Sequence, residues 1–190
     1  NDNSKILLKS QTGSGKTLAY LIPIVATFIK LNMTDGYAPI HRTDGTRALI
    51  LVPTRELCNQ VTDICTKLVS YCCCNVVIGQ VTGGEKRKSE KARLRKGISI
   101  IIGTPGRFLD HLRTTECINL KHLQFLVLDE IDKLLELGES NAGGMQGQQS
   151  HNQTSSNAII NDHNAVYEIL KIILQGIVGC LVCTIDHVCD

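Results

Sequence analysis

A glycine-rich loop at residues 10–17 (SQTGSGKT) has the residue types needed to bind a phosphate group. An apolar run at 6–8 precedes it and an apolar-periodic run at 18–29 follows it, which is the order strand, loop, helix that a phosphate-binding loop requires. Glycines let the backbone turn tightly and point its N–H groups at phosphate oxygens, and the following helix N-terminus adds positive charge. The loop departs from the general pattern at Ser10, where glycine is usual. It predicts nucleotide binding, with a chance glycine loop as the alternative.

Two side chains of this loop have specific expected roles. Lys16 is placed to reach the β- and γ-phosphates, and the Thr17 hydroxyl is placed to ligand Mg²⁺. The candidate nucleotide-binding residues are Thr12, Gly13, Ser14, Gly15, Lys16 and Thr17.

Paired carboxylates follow another apolar run, 123–128, and give the loop a chemical partner. We expect Asp129 to hold Mg²⁺, directly or through water, and Glu130 to polarise an attacking water as general base. Phosphoryl transfer depends mainly on positioning and charge neutralisation, which Lys16, the metal and these carboxylates supply. The alternative is that Asp129, Glu130 and Asp132 only open a helix, where acids suit the helix dipole.

The elements that must position these residues alternate along the chain. The near-continuous apolar run at 47–52 is typical of a strand buried on both faces of a parallel sheet, and Thr54 is a plausible N-cap for the helix after it. Strands are predicted at 5–8, 47–52, 75–81, 98–102, 123–128 and 179–185, and helices at 16–31, 55–70, 85–96, 107–113 and 165–174. The predicted fold class is therefore α/β, a mostly parallel sheet with helices on both faces. In such sheets ligands gather at the carboxyl ends of the strands.

Length and composition predict one globular domain over residues 1–190, because 190 residues with 43% hydrophobic and 20% charged content bury an ordinary core. The net charge of +2 indicates no acidic or basic class, and no run approaches the length of a membrane span, so no membrane partner is expected. Residues 138–164 are rich in Gly, Ser, Asn and Gln and predict a flexible, low-complexity insertion.

The nine cysteines predict reduced thiols in a cytosolic or nuclear protein, since an odd number with three adjacent at 72–74 makes a poor disulfide framework. Cys180 and Cys183 have metal-knuckle spacing, but no second pair follows them. They lie in an apolar run that reads as a buried strand.

Five ordered motifs together resemble those of DEAD-box RNA helicases. They are SQTGSGKT at 10–17, PTREL at 53–57, GG at 83–84, TPGR at 104–107 and DEID at 129–132. The match covers residues 5 to about 138, and the run at 83–97 resembles the nucleolar members that act in assembly of the large ribosomal subunit.

The resemblance implies the first of two RecA-like domains of an RNA-dependent ATPase, with ATP and Mg²⁺ as cofactors, RNA (pre-ribosomal in that subgroup) as partner, and a nuclear, nucleolar location. Backbone N–H groups at glycine turns and helix N-termini, with Arg55 and Arg107, suit sequence-independent phosphate contact. Asp132 is implied to couple the motifs. The residues implied to line RNA are Pro53, Thr54, Arg55, Gly84, Thr104, Pro105, Gly106 and Arg107.

The sequence departs from the family pattern in four ways. Ile131 replaces the usual alanine of the acidic motif, and the Ser-Ala-Thr motif expected on the last strand is absent, with residues 183–185 in its approximate place. The upstream glutamine motif that recognises adenine and the second helicase domain are not expected within these residues. These departures predict a fragment, and they keep open a non-catalytic nucleotide- or RNA-binding module. A small kinase or GTPase is a further alternative, against which the PTREL and TPGR motifs argue.

A strongly basic stretch follows the glycine pair. Seven Lys and Arg residues stand between 86 and 96 with only Glu85 and Glu90 beside them. Two readings stay open: added affinity for RNA or a pre-ribosome through phosphate neutralisation, or a solvated helix face with i,i+4 pairing.

Overall fold

The sheet is the frame of the molecule. The computed structural model describes residues 4–33, 40–71, 76–115, 118–139, 162–174 and 180–186. Within them six strands form one sheet in the order β1-β6-β5-β2-β4-β3, and all pairings are parallel. The strands are Ser4–Ser10 (β1), Ala48–Leu51 (β2), Ile78–Val81 (β3), Ile100–Gly103 (β4), Phe125–Leu128 (β5) and Cys180–Asp186 (β6). The predicted mostly parallel sheet is confirmed.

The central strands are apolar throughout because both of their faces are covered. Every residue of β2 and of β4 is buried. Alternate side chains of β2 enter different cores, with Ala48 and Ile50 on one face and Leu49 and Leu51 on the other. This period of two follows from strand geometry.

Helices cover both faces of this sheet. They are Lys16–Met33 (α1), Arg55–Tyr71 (α2), Arg87–Arg95 (α3), Pro105–Thr114 (α4), Ile131–Glu139 (α5) and Asp162–Leu174 (α6). Buried side chains of α1 and α2 belong to the first core, and those of α3, α4, α5 and α6 to the second. The two-layer covering explains why each of these helices buries one side.

By length and composition α1 is apolar enough to cross a membrane. In the structure its stripe of Tyr20, Leu21, Ile24, Val25 and Phe28 packs into the first core. It is placed as the core helix that follows the first strand.

The boundaries of the predicted strands and helices are correct to within three residues, but helix α5 at Ile131–Glu139 is not among the predicted helices. The Thr54 hydroxyl accepts from the Leu57 N–H at 3.2 Å, so the predicted N-cap of α2 is confirmed. Helix α4 begins at Pro105, two residues before the predicted start, because proline suits the first helical position. The predicted insertion at 138–164 lies largely outside the described residues.

Candidate functional site

The glycine loop joins the carboxyl end of β1 to α1. Gly13 has φ +81° and Gly15 has φ +96°, a left-handed backbone that glycine adopts without steric cost. The Ser14 N–H donates to the Gln11 carbonyl at 3.2 Å, and the Ser10 and Ser14 hydroxyls lie 2.6 Å apart. Ser10 therefore closes the loop through a hydroxyl where the general pattern has glycine.

The Lys16 ammonium folds back over this loop. It donates to the Ser10 carbonyl at 2.5 Å and to the Gln11 carbonyl at 3.1 Å. A cavity of about 240 Å³ lies beside it, lined by Leu8, Lys9, Ser10, Ser14, Gly15, Lys16 and Ala19. A cationic side chain, a turn built on glycines and open space thus meet at one place, which fits a phosphate-bearing ligand.

Asp129 is held by two hydroxyl groups at the carboxyl end of β5. It is 3% exposed, Tyr20 Oη donates to its Oδ2 at 2.8 Å, and Thr184 Oγ1 donates to its Oδ1 at 2.5 Å. The two donors come from α1 and β6, so the carboxylate is fixed from both sides. Hydrogen bonds to a carboxylate are stronger than hydrogen bonds between neutral groups, and the Asp129 carboxylate is shielded from bulk water.

Tyr20 lies between the two predicted metal ligands. Burial raises the pKa of Tyr20 above its usual range, and the neighbouring Asp129 carboxylate raises it further, while a hydrogen bond with the Thr17 side chain lowers it by less. Thr17 and Asp129 therefore both interact with the Tyr20 hydroxyl, which stays protonated. Hydroxyl and carboxylate oxygens are the ligands that Mg²⁺ prefers, so these two residues fit a magnesium ion.

Glu130 has a backbone conformation that its neighbour on β6 supports. Its φ is +52°, the one positive value at a non-glycine position among the described residues. Its N–H donates to Thr184 Oγ1 at 2.7 Å, and its carboxylate accepts from Lys133 Nζ at 3.0 Å. Such a conformation costs on the order of 1–3 kcal/mol and persists where surrounding contacts hold it. Thr184 thus orients both acids.

The third acid and its neighbour open α5. Ile131 is half-buried and packs against the second core, so this position accommodates a β-branched side chain. Asp132 Oδ1 is buried and has no hydrogen-bond partner among the described residues. A buried carboxylate oxygen without a partner is uncommon in proteins.

Arg55 and the glycine pair lie together at the neighbouring strand ends. A Cβ on Gly84 would stand 2.5 Å from Arg55 Nη1, and one on Gly83 would stand 2.9 Å from Nη2. Gly84 also has φ +101°. Glycine is favoured at position 84 because residues with side chains rarely adopt this backbone conformation, and the Arg55 guanidinium lies directly on the turn.

The Arg107 side chain is held between α3 and α4. Its Nε pairs with Glu90 Oε2 at 2.6 Å, its Nη2 donates to the Glu85 carbonyl at 3.0 Å, and its side chain is 13% exposed. His111 Nε2 lies 2.8 Å from the same Glu90 oxygen. The guanidinium thus links α4 to α3.

The other predicted RNA-lining residues share the edge formed by the ends of β2, β4 and β3. Thr54 and Gly84 are exposed, Thr104 and Gly106 are half-buried, and Pro53 and Pro105 are buried. The prolines end a strand and start a helix, respectively, and so shape the loops.

Strand order divides the candidate residues into two groups. Along the carboxyl edge, β1, β6 and β5 carry the glycine loop, Thr184 and the acids, and β2, β4 and β3 carry PTREL, TPGR and the glycine pair. Every predicted motif lies at this edge. Two residues that hold the acids, Tyr20 and Thr184, were not predicted as site residues. The available sequence signal for Thr184 was a lone hydroxyl side chain inside the buried apolar run of β6.

No group of three or more His, Cys, Asp or Glu side chains that could hold a metal ion lies within the described part of the chain. Cys180 and Cys183 lie in β6 as free thiols, and burial raises the pKa of both above the usual value. Protonated thiols are poor metal ligands.

Comparisons with known proteins agree with this arrangement. The model of the DEAD/DEAH box helicase family matches residues 1–154. The chain is 49% identical over 139 residues to "ATP-dependent RNA helicase dbp7" of Sclerotinia sclerotiorum, covering 73% of this chain and 15% of that protein. It is 55% identical over 133 residues to "Probable ATP-dependent RNA helicase CG8611" of Drosophila melanogaster, covering 70% and 13%.

Solved structures give the same result for the fold. The yeast DEAD-box splicing factor Prp28 superposes with a TM-score of 0.72 at 27% identity, over 98% of this chain and 38% of that one. A DEAD box protein from Methanococcus jannaschii gives 0.68 at 27% identity, over 100% and 41%. The chain thus spans less than a fifth of the length of these curated relatives and about two fifths of these solved chains.

Proposed function

Because the chain belongs to the DEAD/DEAH box helicase family, we propose that it is the nucleotide- and RNA-binding domain of an ATP-dependent RNA helicase. The observation that carries the proposal is the order of the strands. It places the glycine loop and the acids on three adjacent strands, and the PTREL, TPGR and glycine-pair motifs on the other three. One continuous edge therefore offers a phosphate site beside a loop surface suited to a nucleic-acid backbone.

In the proposed reaction the chain's own residues bind the nucleotide, position the reacting groups and accept a proton. The loop N–H groups and Lys16 bind the phosphates of ATP, and Asp129 and Thr17 would hold Mg²⁺, which neutralises charge on the phosphates when bound. Glu130 accepts the proton of the attacking water. Tyr20 and Thr184 fix Asp129, so that its carboxylate is positioned before the nucleotide arrives.

RNA is proposed to run along the ends of β2, β4 and β3. Arg55, exposed above the glycine turn, supplies a cation there. The turn at 83–84 and the N-terminus of α4 supply backbone N–H groups, which contact phosphates without reading sequence.

We further propose pre-ribosomal RNA as the substrate and the nucleolus as the location. The support is the resemblance of residues 83–97 to the nucleolar subgroup. Protein cofactors are not assigned.

A non-catalytic binding module is the competing candidate, and the missing Ser-Ala-Thr motif is one of the departures that favour it. Thr184 supplies a hydroxyl to both acids from the same strand. This contact favours the catalytic candidate.

The test is RNA-stimulated ATP hydrolysis by a parent protein that carries both helicase domains. Lys16→Ala and Glu130→Gln should abolish hydrolysis, because the first removes the phosphate-binding cation and the second removes the base. Asp63→Asn, an exposed acid on α2, is the control and should hydrolyse ATP at the parent rate. A parent that RNA does not stimulate would refute the enzyme proposal.

A further inference from the structure

Acids in the described chain neutralise only part of the positive charge of helix α3. Arg87 pairs with Asp110 at 2.9 Å and Arg93 with Glu85 at 2.6 Å. Glu90, the other acid of this stretch, is buried against α4. The i,i+4 pairing expected of an ordinary solvated helix is therefore absent among the described residues of α3.

The remaining cations form a stripe on the outer side of the helix. Lys88, Lys91 and Arg95 follow one another at i, i+3 and i+7, about 4.5 and 6 Å apart along the axis. Lys88 and Arg95 are exposed and have no ion-pair partner among the described residues; Lys91 is half-buried and donates to the Thr114 carbonyl at 3.2 Å, which leaves its charge unpaired. We call these three residues the α3 stripe.

The stripe begins where the proposed RNA path ends. Helix α3 follows the glycine turn at 83–84, and the chain after it leads into the start of β4 at Ile100. It therefore runs from the carboxyl edge of the sheet, beside Arg55, to the opposite edge.

At that opposite edge the positive charge continues into a cavity of about 150 Å³. Arg42, Arg95 and Lys96 contribute to its lining, and Arg42 donates to the Gly97 carbonyl at 3.1 Å. The cations thus extend away from the loop surface instead of clustering at one helix end, as they would if they served only to complement the helix dipole.

We propose that the α3 stripe is a second RNA-binding surface, which contacts the backbone of RNA extending beyond the loops at the sheet edge. The inference rests on the proposed RNA-binding function and adds a second surface to it. Spaced, unpaired cations neutralise phosphates without sequence preference. The stripe thus favours long RNA over short RNA.

The test compares oligouridines of roughly 5 and roughly 16 nucleotides, lengths that bracket the site sizes of single-strand binding domains. Binding to this chain is measured by fluorescence anisotropy over a range of salt concentrations. The variant is Lys88→Gln/Lys91→Gln/Arg95→Gln. The charge-matched control is Lys5→Gln/Lys30→Gln/Lys67→Gln, three exposed lysines outside α3.

The stripe variant should bind the long RNA roughly tenfold or more weakly, with a salt slope smaller by about 2, as expected for three lost contacts to single-stranded RNA. Its affinity for the short RNA should equal that of the wild type. The control, and a charge-preserving Lys88→Arg/Lys91→Arg/Arg95→Lys variant, should retain the preference for long RNA. Circular dichroism melting checks that all variants fold.

Equal losses in the stripe variant and the control would overturn the inference, and the α3 cations would then serve a different partner. Arg55→Ala separates this failure from failure of the proposed function. If Arg55→Ala weakens short-RNA binding while the stripe variant changes nothing, the loop surface is supported and the stripe alone is refuted. If the wild type binds neither RNA at low salt, both are refuted.

Discussion

At the scale of single residues, the site depends on two hydroxyl groups whose residues lie outside the five motifs. Thr184 is fully buried and contacts the Asp129 carboxylate and the Glu130 N–H with one oxygen. A short side chain from β6 therefore sets the geometry of the two acids that follow β5. Tyr20, on α1, holds the other Asp129 oxygen.

Replacing Thr184 by valine tests this arrangement. Thr184→Val keeps the shape but leaves the Glu130 N–H and one Asp129 oxygen without their partner, so it should lower the free energy of unfolding by about 1–3 kcal/mol. Urea unfolding measures this change. Thr27→Val is the control, because the Thr27 hydroxyl bonds only to the carbonyl of Pro23, one turn before it; it should change stability by less than about 0.5 kcal/mol. Equal effects of both substitutions would contradict the proposed role.

At the scale of elements, the contact between α3 and α4 depends on one buried acid. Glu90 is fully shielded from solvent and binds both Arg107 and His111. Its other oxygen, Oε1, is buried without a partner among the described residues. The Arg107 guanidinium is thereby fixed between the two helices that flank the proposed RNA path.

Glu90→Ala should destabilise the protein by about 3 kcal/mol, because it leaves the largely buried Arg107 guanidinium with the more distant Asp110 carboxylate, 3.9 Å away, as its acid partner. Glu85→Ala removes the acid of an exposed pair in the same stretch and should cost less than about 1 kcal/mol. Thermal and urea unfolding of the two variants make the comparison. A loss for Glu90→Ala no larger than that for Glu85→Ala would show that the buried pair does not hold α3 to α4.

Helix α2 carries thiols that make stability depend on alkaline pH. Burial raises the pKa of Cys65 from 9.0 to about 12. The unfolded chain loses this proton above about pH 9 while the folded protein keeps it, so the stabilisation is present below pH 9 and is lost as pH rises toward 12. The contribution reaches at most about 1.4 kcal/mol per pH unit.

Cys65→Ala should therefore flatten the decline of unfolding free energy with pH above 9, although its cavity lowers stability at every pH. Urea titrations across that range measure the slope. Val61→Ala leaves a cavity in the same helix without removing a thiol and should keep the wild-type slope. Identical slopes for Cys65→Ala and wild type would rule out a thiol contribution.

At the scale of the whole molecule, local and non-local features differ in how well the sequence predicts them. The glycine loop, the Thr54 cap and the apolar run of β2 are local patterns, and the structure agrees with them. The Thr184 contact joins residues 55 positions apart, and the direction of Arg107 depends on Glu90, 17 positions away. Neither follows from spacing, because both require the strand order and helix packing to be known.

The strand order also explains why five separate motifs form one site. Parallel strands present their carboxyl ends at one edge, so motifs that follow different strands meet there. The order places the proposed nucleotide-binding and RNA-binding residues side by side, with β5 and β2 as neighbours at the boundary.

The most direct test of the central claim is calorimetric titration of this chain with Mg·ADP and with Mg·GDP, with Lys16→Ala as control. The chain contains no Trp to serve as a fluorescent reporter. We predict binding of Mg·ADP that Lys16→Ala abolishes. A wild-type chain that binds neither nucleotide, or that binds equally well without Lys16, would contradict the assignment of residues 10–17 as the nucleotide site; a preference for Mg·GDP would instead favour a GTPase.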